Sequence, residues 1–242
     1  GGNYAAAALA TNTTGYGHTA IGAGALAVNT TGALNTAVGR QAMYANTTGA
    51  NNVAVGALAL DANTTASSCT AVGSSALGSN TTGALNTAVG SSTLINNTTG
   101  ANNVAMGFAA LQLNTTASSN TAIGYAALNA CTTGAQNTCI GQGAGTTIST
   151  GTQNTLIGSG IVAGTITGNG QNGLGHAITC AVGYTTLGYG FDDIRAAHGT
   201  ATWAAVSDQR YKKDIVDSTT GLSFINALQP RTFKYKTLGE LP

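Results

Sequence analysis

A glycine recurs at intervals of 17 residues through most of the chain. It closes a tetrapeptide of the type Thr-Ala-Val-Gly, and Gly175 keeps the spacing once more after the last clear unit. The regular positions are Gly22, Gly39, Gly56, Gly73, Gly90, Gly107, Gly124, Gly141 and Gly158. A fixed period of this kind is typical of repeat architectures, in which each unit packs only on its neighbours. Because Ala8 and Leu9 already occupy repeat positions, we expect the sequence to be a piece of a longer protein.

The consensus unit is N-T-T-G-x-x-N-T-A-V-G-x-x-A-L-x-x. It is too short for a pair of helices with a connection, and a central glycine disfavours a helix. The sequence therefore predicts an all-β fold, a parallel β-solenoid or β-roll with one coil per unit. We expect the repeated glycine to adopt a positive φ at a turn. About ten coils, spaced by ~4.8 Å, would form a rod roughly 50 Å long.

Two alternate positions of each unit are expected to share one face of a strand. The first is Thr or Val, and the second is always apolar and mostly β-branched, which favours a strand. The first holds Thr19, Thr36, Val53, Thr70, Thr87, Val104, Thr121, Thr138 and Thr155; the second holds Ile21, Val38, Val55, Val72, Val89, Met106, Ile123, Ile140 and Ile157.

The position between them is Ala in seven units and points to the opposite face. A further apolar column holds Leu26, Met43, Leu60, Leu77, Leu94, Leu111 and Leu128. We expect the Val/Ile and Leu side chains to fill the core of each coil. The Ala face would then be covered by other chains along the fibre, which favours a homo-oligomer.

Stacked coils would align asparagines into two ladders that bond along the stack, as in cross-β assemblies. One ladder holds Asn29, Asn46, Asn63, Asn80, Asn97 and Asn114; the other holds Asn35, Asn52, Asn86, Asn103, Asn120 and Asn137. The Asn-Thr-Thr motif is formally a glycosylation sequon, but we interpret it as turn chemistry. Cys69 and Cys131 replace ladder asparagines and Cys139 replaces an Ala, so we expect buried free thiols.

Charge divides the chain. Only 6% of residues are charged, against about 25% in a typical domain, and residues 1–190 contain only Arg40 and Asp61. We predict a repeat shaft at 1–164, an irregular neck at 165–206 and a further domain beginning at 207. The shaft has no basic surface for nucleic acid, no acidic or Cys cluster for a metal, and no apolar run long enough for membrane insertion. We therefore expect neither a metal nor a cofactor.

The last segment, 207–242, carries a recognisable motif. Ser-Asp-x-Arg-x-Lys-x-x-Ile begins at Ser207, and Ala-Leu-x-Pro-x-x-Phe-x-Tyr-Lys begins at Ala227. These residues resemble the start of the intramolecular chaperone domain (peptidase S74 type) of phage tail fibres and tailspikes. The repeat is also distantly similar to the β-roll heads of trimeric adhesins. We expect a small α+β segment here, with a short helix near 219–228 and a strand at 231–236.

The resemblance implies trimer assembly followed by self-cleavage through a Ser–Lys dyad. Ser207 matches the nucleophile and Lys212 the general base. A serine hydroxyl needs a neighbouring base, and a desolvated lysine can serve. Apart from this autoproteolysis, we predict no enzyme.

Three functions are compatible with the sequence. We favour a structural and adhesive fibre, a homotrimeric phage tail-fibre shaft in the virion that contacts a host receptor or glycan and other tail or fibre proteins. A bacterial adhesin at the cell surface is the alternative, followed by an ice-binding solenoid with regular Thr columns. A glycan-degrading site in residues 1–190 is excluded, because glycoside hydrolysis needs two carboxylates and only Asp61 is present.

Overall fold

The computed structural model describes residues 7–199 and 204–205 of the 242, and these residues contain no α-helix. Nine three-residue strands form the repeat region. They are β1 (Thr19–Ile21), β2 (Thr36–Val38), β3 (Val53–Val55), β4 (Thr70–Val72), β5 (Thr87–Val89), β6 (Val104–Met106), β7 (Thr121–Ile123), β8 (Thr138–Ile140) and β9 (Thr155–Ile157). Each pairs in parallel with the next, and residue i lies beside residue i+17. The predicted parallel β-solenoid with one coil per 17-residue unit is confirmed.

The sheet continues beyond the regular repeat. The later strands are β10 (Val162–Ala163), β11 (Asn172–His176), β12 (Thr179–Cys180), β13 (Tyr184–Tyr189), β14 (Asp192–Ala197) and β15 (Ala204–Ala205). β11 pairs in parallel with β9 and β13, whereas β14 and β15 add antiparallel strands; β10 pairs with β12 separately. One sheet of thirteen strands therefore runs from β1 to β15. The predicted domain division stays a prediction.

The interior of the solenoid is lined by alanine. The middle residue of each strand from β2 to β9 is fully buried, and these residues are Ala37, Ala54, Ala71, Ala88, Ala105, Ala122, Cys139 and Leu156. The Leu column is buried as predicted. The expectation that Val and Ile fill the core is wrong, however, because their strand position points away from the interior. A coil also encloses one Leu, a second Ala and two Asn side chains, as Leu60, Ala59, Asn52 and Asn63 do, so the strand has room only for a small residue at this position in the regular coils.

The repeated glycine is required by both its backbone angle and its surroundings. Its φ lies between 123° and 139° in every regular coil, as the sequence predicts. A Cβ on Gly73 would lie 2.5 Å from the carbonyl oxygen of Gly90 in the next coil. Any larger residue would therefore strain the backbone and push neighbouring coils apart.

Both predicted asparagine ladders are present and buried. In the first, each amide nitrogen donates to the side-chain oxygen of the preceding coil and to a backbone carbonyl within its own turn. Asn46 Nδ2, for example, lies 2.7 Å from Asn29 Oδ1 and 3.0 Å from the Gly49 carbonyl. In the second, the Asn52 backbone N–H donates to Asn35 Oδ1 at 2.9 Å. These bonds satisfy polar groups that would otherwise be costly to bury.

The threonine that follows each asparagine of the first ladder forms a third column. Thr47 Oγ1 donates to the Thr64 carbonyl at 3.0 Å, and the same bond recurs from coil to coil. Because the sequon asparagines Asn29 to Asn114 are 0% exposed, the folded shaft leaves no space for a glycan on them. The interpretation of Asn-Thr-Thr as turn chemistry agrees with this burial.

Candidate functional site

The predicted catalytic residues, Ser207 and Lys212, lie outside the described residues, as do the expected helix at 219–228 and the expected strand at 231–236. The proposed dyad therefore stays a prediction.

The most extended surface feature is the outward side of β1–β9. We call it the outer face and define it by the two alternate columns of these strands, the Thr/Val column from Thr19 to Thr155 and the Val/Ile column from Ile21 to Ile157. The second column stays partly or largely exposed, as at Ile21 (60%), Val55 (37%) and Met106 (42%). Stacking of the coils thus places β-branched side chains in an unbroken apolar row on the surface.

The Val/Ile column continues beyond the repeat. Register places Leu174 of β11 beside Ile157, Leu187 of β13 beside Leu174, and Ile194 of β14 beside Leu187. The next partner of Ile194 is Ala205 of β15. The apolar row therefore reaches the residues immediately before the predicted chaperone-like segment.

No charged side chain belongs to the outer face within β1–β9. Two exposed aromatic residues, Phe108 and Tyr125, follow the Val/Ile column by two positions in adjacent coils. Their rings stack with centroids 5.6 Å apart and planes 15° apart. A surface with one apolar column, one Thr/Val column and no charge can associate with another such surface. Its threonine hydroxyls have no acidic or basic side chain beside them within that face, so the face does not supply the nucleophile–base pair that catalysis requires.

The one acidic residue of the shaft lies in a small hollow elsewhere on the coil. The hollow, of about 210 Å³, is lined by Leu58, Asp61, Ser75, Gly78, Ser79 and Ile95. Burial raises the pKa of the Asp61 carboxyl, and the Arg40 guanidinium lowers it less strongly. Asp61 Oδ1 is buried without a hydrogen-bond partner. A single carboxylate cannot supply both groups that glycoside hydrolysis requires.

Residues 29–79 and 80–130 are nearly the same 51-residue block, and comparison of the two copies shows why Asp61 Oδ1 has no partner. In the second copy Gln112 corresponds to Asp61 and Asn129 to Gly78. Asn129 Nδ2 donates to Gln112 Oε1 at 3.0 Å and to the Ala109 carbonyl at 3.1 Å. Gly78 has no side chain to do the same, so the acceptor remains without a donor.

The four cysteines are free and buried, as the sequence predicts. Burial raises the pKa of Cys139 to about 12, and that of Cys131 and of Cys180 to about 11. Thiols with such pKa values are not nucleophiles at neutral pH. Within residues 7–199 and 204–205, no group of three or more His, Cys, Asp or Glu side chains could hold a metal ion. The same residues include no helix with the length and hydropathy needed to span a membrane.

The described fold defines a parallel β-solenoid with a small-residue core and an apolar outer face. Comparison with protein families adds one match: residues 207–240 fit the model of the Peptidase_S74 family, described as the chaperone of endosialidase. This agrees with the motif that begins at Ser207. No curated protein matches the chain, and no solved structure does.

Proposed function

We propose that this chain forms the shaft of a homotrimeric adhesive fibre, a phage tail fibre in the virion, with an intramolecular chaperone at its C-terminal end. The observation that carries the proposal is the direct succession of two features. A thirteen-stranded solenoid sheet extends to Ala205, and the match to the chaperone of endosialidase begins at residue 207. A rod of stacked coils followed by a chaperone segment is suited to building a long, rigid projection.

The shaft would hold a receptor-contacting surface at a distance from the particle. Its partners would be a host receptor or glycan and other tail or fibre proteins. A uniform solenoid suits this role, because each coil contacts only its neighbours and the rod lengthens with each added repeat. A bacterial surface adhesin is the alternative, and the same architecture supports it.

Maturation would proceed by a single cut at Ser207. By the family resemblance, the Ser207 hydroxyl attacks the backbone carbonyl of Val206 while the Lys212 amine accepts the hydroxyl proton. The Val206–Ser207 peptide bond breaks, and the leaving amine takes the proton from Lys212. One water then hydrolyses the resulting ester, which restores the Ser207 hydroxyl and separates the chaperone segment from the shaft.

Two measurements on the expressed chain test the proposal. Native mass spectrometry and unboiled denaturing gels should show a trimer that dissociates on boiling, and a strictly monomeric mass would contradict the fibre. Intact-mass analysis should show the cut at Ser207, which S207A abolishes and K212A strongly slows. Unchanged cleavage in S207A would exclude the proposed nucleophile.

An ice-binding role has one specific observation in its favour, the partly exposed Thr/Val column at the regular strand spacing of a parallel sheet. Thermal hysteresis of the purified chain is the direct assay. A solution without hysteresis would remove this candidate and leave the fibre unaffected.

A further inference from the structure

We propose that copies of this chain associate in parallel through the outer face, with the Val/Ile column of one copy packed against the outer faces of the others. This inference rests on the proposed self-association and identifies the surface that performs it. It replaces the expectation that the Ala side is covered by other chains, since the Ala side is the interior.

The exposed apolar side chains of the outer face favour burial against another molecule. Exposed apolar residues are normally scattered singly over a monomer surface, whereas here they form one continuous column. In this Val/Ile column, Ile21, Val55 and Met106 are 60%, 37% and 42% exposed, and Val53 and Val104 of the neighbouring column are each 37% exposed. The core of the solenoid contains Ala, one Leu per coil and asparagine amides. Much of the large aliphatic surface of the shaft therefore lies outside the core. A contiguous apolar patch of this kind marks an interaction site.

The spacing of the column indicates a second copy as the occupant. Side chains repeat at the strand spacing of ~4.8 Å along the rod, and a partner can pack against all of them only with the same repeat. A second copy of this chain has the same repeat because it has the same sequence. The absence of charge on the face within β1–β9 also means that identical copies do not repel each other there, as they would on a face of one sign.

The parallel direction follows from the end of the sheet. The apolar column leads through Leu174, Leu187 and Ile194 to the residues before position 207. In a parallel arrangement about a common axis, equivalent columns lie at equal height, and the β15 strands of all copies, which precede the chaperone-like sequence, lie at the same end. An antiparallel arrangement would place the β15 strands of neighbouring copies at opposite ends.

The available area is close to that of one standard interface. The outer face and the continuation of its apolar column through β11, β13 and β14 span twelve strands. At ~4.8 Å per strand they are about 58 Å long, and two columns with their side chains are about 12 Å wide. This amounts to roughly 700 Å² per copy, close to the ~800 Å² per partner of a standard stable interface. A trimer in which each copy meets two others uses this face with its flanks.

Cross-linking tests the surface directly. V72C places a thiol in the Val/Ile column, and T82C places one among the exposed threonines outside the outer face. The four native thiols are buried and do not compete. Under mild oxidation of the full chain, V72C should form inter-chain disulfides at least ten times faster than T82C.

Charge substitution supplies the second test. The double variant V55K/V89K should lose the oligomer or its resistance to denaturing detergent, while T48K/T82K should keep both. Should V55K/V89K fail to fold by circular dichroism, V55T/V89T serves instead, since Thr already occupies the neighbouring column, and its oligomer should dissociate at lower temperature. A monomeric wild-type chain would overturn the proposed function itself. An oligomeric wild type with equal cross-linking of V72C and T82C would overturn only the outer-face interface.

Discussion

The first asparagine ladder allows a matched test of what a stacked amide contributes. Asn97 donates to Asn80 Oδ1 (2.7 Å) and to the Gly100 carbonyl (2.9 Å), and it accepts a bond from Asn114 (2.6 Å). Asn114 makes the same two donations, but its own Oδ1 is buried without a partner. The reason is Cys131, which stands where the next ladder amide would be. Asn97 and Asn114 are therefore equivalent in position and differ by one hydrogen bond.

The expected magnitudes follow from the bonds that each substitution removes. N97A removes three side-chain bonds, at about 1 kcal/mol each, and leaves Asn80 Oδ1 as a new unsatisfied acceptor at about 1–3 kcal/mol. N114A removes two bonds, strands Asn97 Oδ1, and eliminates the acceptor that was already unsatisfied. The cavity contribution is the same for both, because Asn becomes Ala at the same coil position. We expect N97A to be more destabilising than N114A by about 2–4 kcal/mol.

Amide hydrogen exchange measured by mass spectrometry resolves this difference locally, which suits a repeat protein whose coils open separately. Peptides covering the substituted and adjacent coils of the full chain should exchange about 30 to 700 times faster in N97A than in N114A. Equal acceleration in the two variants would refute the ladder account, since it would show that the unsatisfied oxygen of Asn114 has no energetic consequence.

Three further predictions concern glycines and thiols. Gly73→Ala places a Cβ against the next coil at a φ of 135°, and should lower the free energy of unfolding by about 3 kcal/mol or more. In Gly78→Ala the added Cβ would lie 3.3 Å from its nearest neighbour, the carbonyl oxygen of Ser75, so the free energy of unfolding should change little. Similar urea midpoints for Gly73→Ala and Gly78→Ala would contradict the steric argument. Gly78→Asn should copy the bonds of the second block, donating to Asp61 and stabilising the chain by about 1–2 kcal/mol relative to Gly78→Ala at neutral pH. The pKa of Asp61 is raised above 3.8 by burial. This margin should therefore shrink as the pH falls through that pKa, because the protonated carboxyl is a weaker acceptor than the carboxylate, and a margin independent of pH would exclude a bond to the carboxylate. A thiol reagent should find no reactive group in the native chain and four after unfolding in denaturant, and native reactivity would contradict the burial of Cys69, Cys131, Cys139 and Cys180.

The features that repetition dictates were predictable from the sequence. With a strict 17-residue period, equivalent residues of successive units all meet only if the units stack in parallel and in register. The strands, the turn glycines and the asparagine ladders could therefore be predicted from their positions in the repeat. The buried thiols followed in the same way, since Cys69 and Cys131 occupy ladder positions. The regular period ends after Gly158. Beyond it, Asn172 pairs with Thr185 in place of a residue 17 positions away, and β14 pairs in an antiparallel direction. The repeat contains neither feature, so the sequence did not predict them.

The orientation of the strands was the part that hydrophobicity could not give. Alternation of residue types along a strand distinguishes its two faces but does not show which face is buried. The larger size of the Val and Ile side chains suggested that their face was buried, which is wrong. The sequence did contain a signal in the tolerance of each position. The middle residue is Ala in every unit from Ala20 to Ala122, whereas its neighbours exchange Thr for Val and Val for Met. A narrow interior restricts size more strictly than polarity, so the invariant small residue marks the inside.

The duplicated blocks indicate which part of the coil is free to acquire a binding function. Between residues 29–79 and 80–130, the turn from each ladder Asn to the next strand is almost unchanged, because its Asn, Thr and Gly residues bond or pack against the adjacent coils. Most differences fall between the repeated Gly and the following ladder Asn, where Arg40 becomes Ser91 and Tyr44 becomes Ile95. There the interior accepts only the Ala and Leu columns. The outward side chains contact the next coil only in individual pairs, such as Phe108 with Tyr125 and Asn129 with Gln112, and not in a column that repeats in every coil. Recognition chemistry can therefore change on this side of the shaft while the ladders and the outer face, and with them the proposed fibre, stay intact.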